Sequence, residues 1–563
     1  MIRMTGAQIT IKLLERQEIE TIAGIPGGSN LPLYDALSQS DKIRHVLARH
    51  EQGAGFIAQG MARVSGKPQV CFATSGPGAT NALTAIADAK LDSIPVICIT
   101  GQVPRAMIGT DAFQEVATFG MSIPITKHTY LVRSAAELLK VIPEAFRIAA
   151  SGRPGPVLID VPKDVQMEAA EFEAWPEPGR PDPPPRFDRA KIERAAEMIN
   201  AARRPILYIG GGVIHSGASE RVVRLAEKAS LPTTTTLMGL GAMPVDHPLS
   251  LGMLGMHGAR YTNLALEECD LLIAAGARFD DRATGKVNEF CPNAEIIHID
   301  IDPAELDKIK KAHVGIVGDL GQVIQALLPK IQTDERTLWR SEIEALKERH
   351  PFQTPGADDP CAPYGLILQA ARVLDDEAII VTDVGQHQMW TAQAYPFRRP
   401  RQWLTSGGLG TMGFGLPAAI GAALARPERR VVCFTGDGSL LMNIQELATA
   451  VEEHTNLKII LMNNDSLGLV RQQQNLFYGG RRYATDFSLK VDFAKIAEGF
   501  GMQADDLGAS DHPAATLAHA LSEPGPRLIH VPINVEEMVY PMVAPGAANR
   551  EMIGGEIEAG IRG

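Results

Sequence analysis

Residues 429–464, RRVVCFTGDGSLLMNIQELATAVEEHTNLKIILMNN, constrain the chain more than any other stretch. The apolar, β-branched run 431–434 stops at Gly436, as a buried parallel strand does. Gly436-Asp437-Gly438 then makes a turn too tight for bulky side chains. From Leu440 to Val451 apolar positions recur at helical spacing, and a second apolar run, 458–462, ends on Asn463 and Asn464. Strand, helix, strand in that order demands an α/β layer with a parallel sheet. Ligands sit at the carboxyl ends of such strands, so Asp437 and Asn464 are expected side by side at one rim. One carboxylate, one amide oxygen and a nearby backbone carbonyl form a hard-oxygen site for Mg²⁺, which completes its shell with water and phosphate oxygens. The expected ligand is a metal-bridged diphosphate. GDG alone is a common turn, whereas GDG after one apolar strand, followed by a second ending in Asn-Asn, is far more selective.

At 563 residues the chain exceeds one core, and length predicts about three to four domains. Two proline-rich joints, EAWPEPGRPDPPPRF at 173–187 and a weaker one at 350–363, divide it into 1–170, 189–345 and 363–540. The outer pieces share a pattern. QVCFATSGPG at 69–78 leads through a helical stretch to PVICITG at 95–101, at nearly the separation between 430–438 and 458–464. Duplicated doubly wound domains explain this. In the middle piece PILYIGGGV (205–213), LLIAAGA (271–277) and EIIHIDI (295–301) are strand-like, giving a third parallel α/β domain. The net charge of −12, without Lys/Arg blocks, argues against a nucleic-acid groove. The six cysteines include no CxxC pair and several lie in apolar runs, as buried thiols of a reducing compartment do. No apolar run reaches the roughly 18 residues of a membrane span. An amphipathic pattern starts at Thr5 with no signal segment before it, so the expected location is the cytoplasm.

Arg49-His50-Glu51-Gln52 follows the apolar run 46–48 and opens a helix with Ala54, Ala58 and Ala62 on one face. By itself Glu51 reads as an acid favoured by the helix dipole. GLGTMG at 408–413 satisfies G-x-G-x-x-G, but 401–406 is too polar for the hydrophobic strand that a dinucleotide site requires. TGDGSLLMNIQELATA, ARHEQGAGFIAQGMAR, GARFDDR and VYPMVAPGAAN (539–549) together resemble the thiamine diphosphate enzymes, and among them the acetolactate synthase catalytic subunits. The likeness covers essentially the whole chain.

The resemblance implies three doubly wound domains, two of them binding thiamine diphosphate on either side of a flavin-binding one. It makes Glu51 the acid that hydrogen-bonds N1′ of the cofactor's pyrimidine, promoting the imino tautomer that deprotonates thiazolium C2. Gly27 and Gly28 match the family's glycine turn over the cofactor. Phe113, Gln114 and Lys127 lie in 107–116 and 125–131, polar stretches that read as loops and match substrate-channel segments, and Gln114, Lys127 and Arg282 are candidates for handling the substrate carboxylate or carbonyl. The metal ligands are Asp437, Asn464 and the main-chain oxygen of Ser466. Gly385, Gln386, His387, Gly410, Gly436, Gly438, Ser439, Met442 and Leu469 join them around the cofactor. Met412 is the bulky residue wedged between its two rings, a gap suited to a thioether. The flavin contacts implied are Arg153, Gly210, Gly211, Gly212, Thr236, Leu237, Met238, Leu254, Gly255, Met256, His257, Gly276, Ala277, Arg278, Asp280, Arg282, Asp300, Ile301 and Asp319. Glycines let amides approach a pyrophosphate, and acids accept hydrogen bonds from ribose hydroxyls. The reaction moves no net electrons, so the FAD is read as structural or inherited.

The implied activity is decarboxylation of pyruvate and ligation of its remaining two carbons to a second 2-keto acid, pyruvate or 2-ketobutyrate. With pyruvate the products are 2-acetolactate and CO₂, in the pathway to branched-chain amino acids. Leu469 and Gln473 replace the Met and Trp of most relatives, which matches a minority isozyme type, opens the acceptor pocket and weakens the expected preference for 2-ketobutyrate. Glu51 lies in the first domain and the metal site in the third. One subunit's Glu51 is therefore expected to meet another's diphosphate, giving a homodimer or homotetramer. A small regulatory subunit is a further implied partner. The rival readings are another flavin-retaining thiamine diphosphate carboligase or decarboxylase, an NAD-dependent oxidoreductase, and a noncatalytic scaffold.

Overall fold

The computed structural model, which describes residues 1–555, holds three six-stranded parallel sheets. The first contains Thr21–Gly24, Arg44–Leu47, Gln69–Ala73, Val96–Gln102, His128–Leu131 and Val157–Pro162. Counted in chain order, these lie 2-1-3-4-6-5 across the sheet. The third contains Ile379–Thr382, Trp403–Leu404, Val431–Gly436, Leu457–Asn463, Gln503–Asp506 and Arg527–Pro532, in the same spatial order. The middle sheet differs. Its strands Pro205–Ile209, Thr233–Thr235, Ser250–Met253, Leu271–Ala275, Glu295–Asp300 and Val314–Val317 lie 3-2-1-4-5-6, the order associated with dinucleotide binding. The central strands Val96–Gln102, Pro205–Ile209 and Val431–Gly436 are buried throughout. That is why they read as unbroken apolar runs rather than as alternating ones.

The middle domain has its own core, whereas the first and third share one. Their junction is the helix Glu51–Ser65 packed on Gly415–Ala425, a segment that is apolar and small on every side (GLPAAIGAALA). A Cβ on Gly60 would lie 2.0 Å from the Ala418 carbonyl oxygen, and one on Gly421 would lie 2.0 Å from that of Ile57. Only glycine permits so close an approach. The pairing of Ile57 with Gly421 and of Gly60 with Ala418 makes the two helices antiparallel. Glu51, at the start of one, and Gly415, at the start of the other, are therefore separated along the pair by roughly 18 Å, at 1.5 Å per residue.

Three local readings need correction. Residues 440–451 are not one helix but two short ones, Asp437–Leu440 and Glu446–Glu452. The Asn443 side chain donates to the Gly413 carbonyl at 2.6 Å and holds the turn between them. A strand does precede Gly408, but it is only Trp403–Leu404, and no helix begins until Gly415. The stretch 125–131 is loop only at its start, since His128–Leu131 is the edge strand of the first sheet.

Candidate functional site

In the third domain the carboxyl ends of the strands converge on one rim. Gly436 lies opposite Met462 in the ladder, which puts Asp437 beside Asn464. The Ser466 amide completes the arrangement by donating both to Asp437 Oδ2 at 3.1 Å and to Asn464 Oδ1 at 3.2 Å. Asp437 is 3% exposed, and burial raises its carboxyl to about 6. A buried carboxylate short of counter-charge, with an amide oxygen next to it, is the donor set of a hard divalent cation. Gln386 accepts from Asn464 Nδ2 at 3.1 Å, and Ser439 Oγ donates to the Val384 carbonyl at 2.9 Å. His387 is buried and held neutral, its pKa lowered to about 3 by desolvation, and its Nε2 has no partner. Its ring closes on both Gly385 and Gly436, where a Cβ would come within 2.7 and 2.9 Å. Such an orphaned nitrogen at a glycine-lined rim marks the place of a polar ligand group.

Met412 reaches over the Gly438 turn, its methyl 3.6 Å from where a Cβ would stand. Asp383 holds the segment that carries it, accepting from Gly413 N at 2.8 Å and from Gly415 N at 3.0 Å. Reading the sequence did not single out Asp383, whose only signal was an acid at the end of an apolar strand. Gly410 has φ +69° and open space beside it, and Met442 is exposed.

The first domain builds a second rim from equivalent strand ends. Glu51 opens its helix, half-buried, and accepts from Asn81 Nδ2 at 3.0 Å. A Cβ on Gly78 would lie 3.2 Å from Glu51 Oε1 and 2.7 Å from Thr74 Cγ2, while one on Gly27 would lie 2.6 Å from Thr74. Gly28 faces open space. Gln114, at φ +60°, covers Gly76 with its backbone and Cβ. Gly27, Glu51 and Gln114 thus gather around the loop 74–78, next to Phe113, which is 87% exposed. Lys127 does not join them. It precedes the strand His128–Leu131, at the opposite end of this sheet, and donates to the carbonyls of Ile148 at 2.5 Å and Ser151 at 2.6 Å. Burial lowers its pKa to about 8.

The middle domain opens onto a cavity of about 770 Å³, a size suited to a cofactor. At the point where its strand order reverses, two glycine turns cross. A Cβ on Gly210 would stand 2.3 Å from the Gly276 carbonyl oxygen, and one on Gly212 would stand 2.7 Å from Gly276 Cα. Arg153, Gly211, Thr236, Leu237, Met238, Leu254, Met256, His257, Ala277, Arg278, Asp280, Arg282, Asp300, Ile301 and Asp319 line the same cavity. Gly255 does not line it but lies behind it, where a Cβ would meet the Arg282 carbonyl at 2.3 Å. Arg153 ties the first domain to the middle one, donating to Ser93 Oγ at 2.8 Å and Glu305 Oε1 at 2.6 Å. The Asp280 and Asp319 carboxylates cap short helices. The buried Thr236 hydroxyl has no partner. Gln388, the loop 406–410, Leu469 and Gln473 bring the third domain to the cavity's far end.

Family models of the thiamine pyrophosphate enzymes match all three parts: the N-terminal TPP binding domain at 4–121, the central domain at 192–327 and the C-terminal TPP binding domain at 383–531. The chain is 63% identical over 552 residues to the acetolactate synthase isozyme 1 large subunit of Escherichia coli, covering 98% of each. It is 47% identical over 550 residues to the isozyme 2 large subunit of the same organism, covering 98% of this chain and 99% of the other. With the acetolactate synthase large subunit IlvB1 of Mycobacterium tuberculosis it shares 46% over 568 residues, covering 98% and 91%. Two thiamine-binding domains flanking a dinucleotide-type sheet, with identity of this extent, place the chain in the acetolactate synthase large-subunit family of thiamine pyrophosphate enzymes.

Proposed function

We propose that the chain converts two molecules of pyruvate to 2-acetolactate and CO₂, and accepts 2-ketobutyrate as the alternative second substrate. The observation that carries this reading is the rim where one amide, Ser466 N, binds both Asp437 and Asn464. Asp437, Asn464 and the Ser466 carbonyl would hold Mg²⁺, and the metal would anchor a diphosphate beside His387. Bound thiamine diphosphate supplies the electron sink for losing CO₂ and forming the new carbon–carbon bond. Glu51, oriented by Asn81, holds a proton at the pyrimidine N1′. Met412, whose methyl stands over the Gly438 turn, would pack against the bound cofactor. Gln114 and the exposed Arg282 would receive the substrate carboxylate. The crossed glycines and the Thr236 hydroxyl, unpartnered among the described residues, fit FAD, which would fill the middle cavity as a structural element.

A second copy of the chain completes the site. Along the antiparallel helix pair of one chain, Glu51 and the Gly415 end, which Asp383 ties to the Met412 segment, are roughly 18 Å apart, and this separation favours Glu51 serving the Asp437 rim of a second chain. Exposed apolar side chains adjoin rim residues: Phe113, next to Gln114, at the first, and Leu441, Met442 and Val470 at the other. Two such patches, brought together by a two-fold axis, would cover each other and form two sites. A small regulatory subunit is the further partner, since relatives bear the name large subunit. No helix among the described residues is long and apolar enough to cross a membrane, and a cytoplasmic location is the reading that accompanies this activity.

Purified protein incubated with pyruvate, Mg²⁺, thiamine diphosphate and FAD tests the function. Formation of 2-acetolactate supports it. A chain that binds these cofactors yet forms product only from glyoxylate or another 2-oxo substrate would be one of the rival carboligases instead. Leu469 and Gln473 at the cavity's end support weak acceptor selection, and competition between the two 2-keto acids measures it.

A further inference from the structure

Behind the loop that carries Met412 lies a buried charge cluster contributed by the first domain. Arg63, Asp88 and Asp92 are 7%, 0% and 6% exposed. Arg63 Nη2 donates to Asp92 Oδ2 at 2.8 Å, to Asp88 Oδ1 at 3.3 Å and to Gln59 Oε1 at 2.9 Å, and its guanidinium stacks 4.9 Å from the Phe414 ring centroid. One cation does not satisfy two carboxylates. The remaining donors all come from the third-domain loop. Gly408 N reaches Asp92 Oδ1 at 2.7 Å, Gly407 N reaches Asp92 Oδ2 at 3.1 Å, and Thr411 Oγ1 reaches Asp88 Oδ2 at 2.8 Å. Ser406 Oγ also donates to Asp88 and accepts from Thr411 N. Hydrogen bonds to buried charges are the strong kind, and breaking one leaves an unpaired charge in a low dielectric.

The loop is fixed at both ends, by Asp88 and Asp92 before Met412 and by Asp383 after it. Its front face is also a wall of the middle-domain cavity. A Cβ on Gly407 would lie 2.3 Å from Met238 Sδ, and Met238, Asp92 and residues 406–410 all line that space. From this juxtaposition we infer that Arg63, Asp88 and Asp92 are positioning residues. They hold the 406–412 loop so that Met412 stands over the Gly438 turn, and they make the loop's register sensitive to what fills the middle cavity. The inference rests on the thiamine diphosphate and FAD reading above. It gives a flavin without redox work a task, which is to press the loop against Asp92 and so pre-form the bent cofactor's seat.

Binding and spectroscopy test this apart from turnover. Thiamine diphosphate affinity is measured with saturating Mg²⁺, with and without FAD, together with the near-ultraviolet circular dichroism of the bound aminopyrimidine. In the wild-type chain FAD tightens thiamine diphosphate binding by about fivefold or more, a usual range for site coupling. Asp92→Asn is expected to lower that ratio to near one, weaken thiamine diphosphate binding about tenfold and diminish the dichroic band, while FAD still binds. Should Asp92→Asn or Asp88→Asn not fold, Ser406→Ala with Thr411→Val removes the loop's side-chain donors and is expected to shift the same three readouts in the same direction. Folded variants with wild-type affinity, band and FAD ratio would overturn the inference. A wild-type chain that binds no thiamine diphosphate would instead remove the functional reading beneath it.

Discussion

The first and third domains have the same strand order, yet their rims are built differently. After the third strand of one comes Thr74-Ser75-Gly76-Pro77-Gly78, and after the third strand of the other comes Gly436-Asp437-Gly438. In the first, the turn leaves room for the carboxylate of a neighbouring helix, Glu51, held by Asn81. In the third, it carries its own buried carboxylate and pairs it with Asn464 through one amide. On the proposed function, one fold would therefore serve proton handling at one rim and cation binding at the other. The difference lies in a few residues at strand ends, which is where function resides on a scaffold of this kind.

Replacing the two acids breaks the comparison most sharply. Glu51→Gln is expected to lower the rate of product formation by about 10²–10⁴, the usual worth of a positioned acid, while thiamine diphosphate still binds. Calorimetric titration beside a product assay checks both halves, and an undiminished rate would remove Glu51 from the mechanism. Asp437→Ala is expected to act on the opposite quantity. Losing a charge-assisted contact of about 1.5–3 kcal/mol weakens Mg²⁺-dependent cofactor binding by about 10–100-fold. The same titration at graded Mg²⁺ reports it.

A smaller effect tests what joins the two domains. Gly421→Ala forces a Cβ toward the Ile57 carbonyl, and overpacking of this kind costs about 1–3 kcal/mol. The urea midpoint should fall accordingly, whereas Gly28→Ala, with open space around it, should leave it unchanged.

A pH-dependent effect concerns one position that the two domains fill differently. Val157–Pro162 and Arg527–Pro532 are equivalent strands, and Asp160 of the first corresponds to His530 of the second. His530 pairs with Asp506 at 3.1 Å, while Asp160 is buried with only Thr100 Oγ1 and Gln102 Nε2 as donors, at 2.7 and 2.9 Å. Burial raises the Asp160 carboxyl to about 7. The folded chain keeps that proton up to this pH, and the unfolded chain releases it near pH 4, about the value of a free Asp. Asp160 therefore withdraws stability as pH climbs between those values. Asp160→Asn cannot ionise and should lessen that decline, which urea unfolding at pH 5 and pH 8 would reveal.

Much of this was legible in the chain itself. The runs 431–434 and 458–462 announced central strands because both faces are buried, and GDG with Asn-Asn announced the rim because strand ends in a parallel sheet are adjacent. Asp383, Asp88 and Asp92 escaped because their partners are backbone amides and residues far away in sequence, for which no spacing rule exists. Lys127 read as a pocket residue by likeness alone, while its place at the amino end of the sheet depends on an edge strand that the polar stretch 125–131 concealed. The break in the helix after Leu440 was hidden because Asn443 makes its decisive bond to Gly413, in a different segment.

In the proposed assembly the Glu51 rim of one chain serves the Asp437 rim of another. Co-expressing Glu51→Gln and Asp437→Ala chains under different tags, and purifying only the mixed dimers, tests it most directly. If the site is shared, each mixed dimer holds one site with both defects and one with neither, and at limiting Mg²⁺ and thiamine diphosphate shows about half the wild-type activity although both parents are nearly inactive there. If each chain completes its own site, every site in the mixed dimer is defective, and mixed dimers as inactive as their parents would contradict the account.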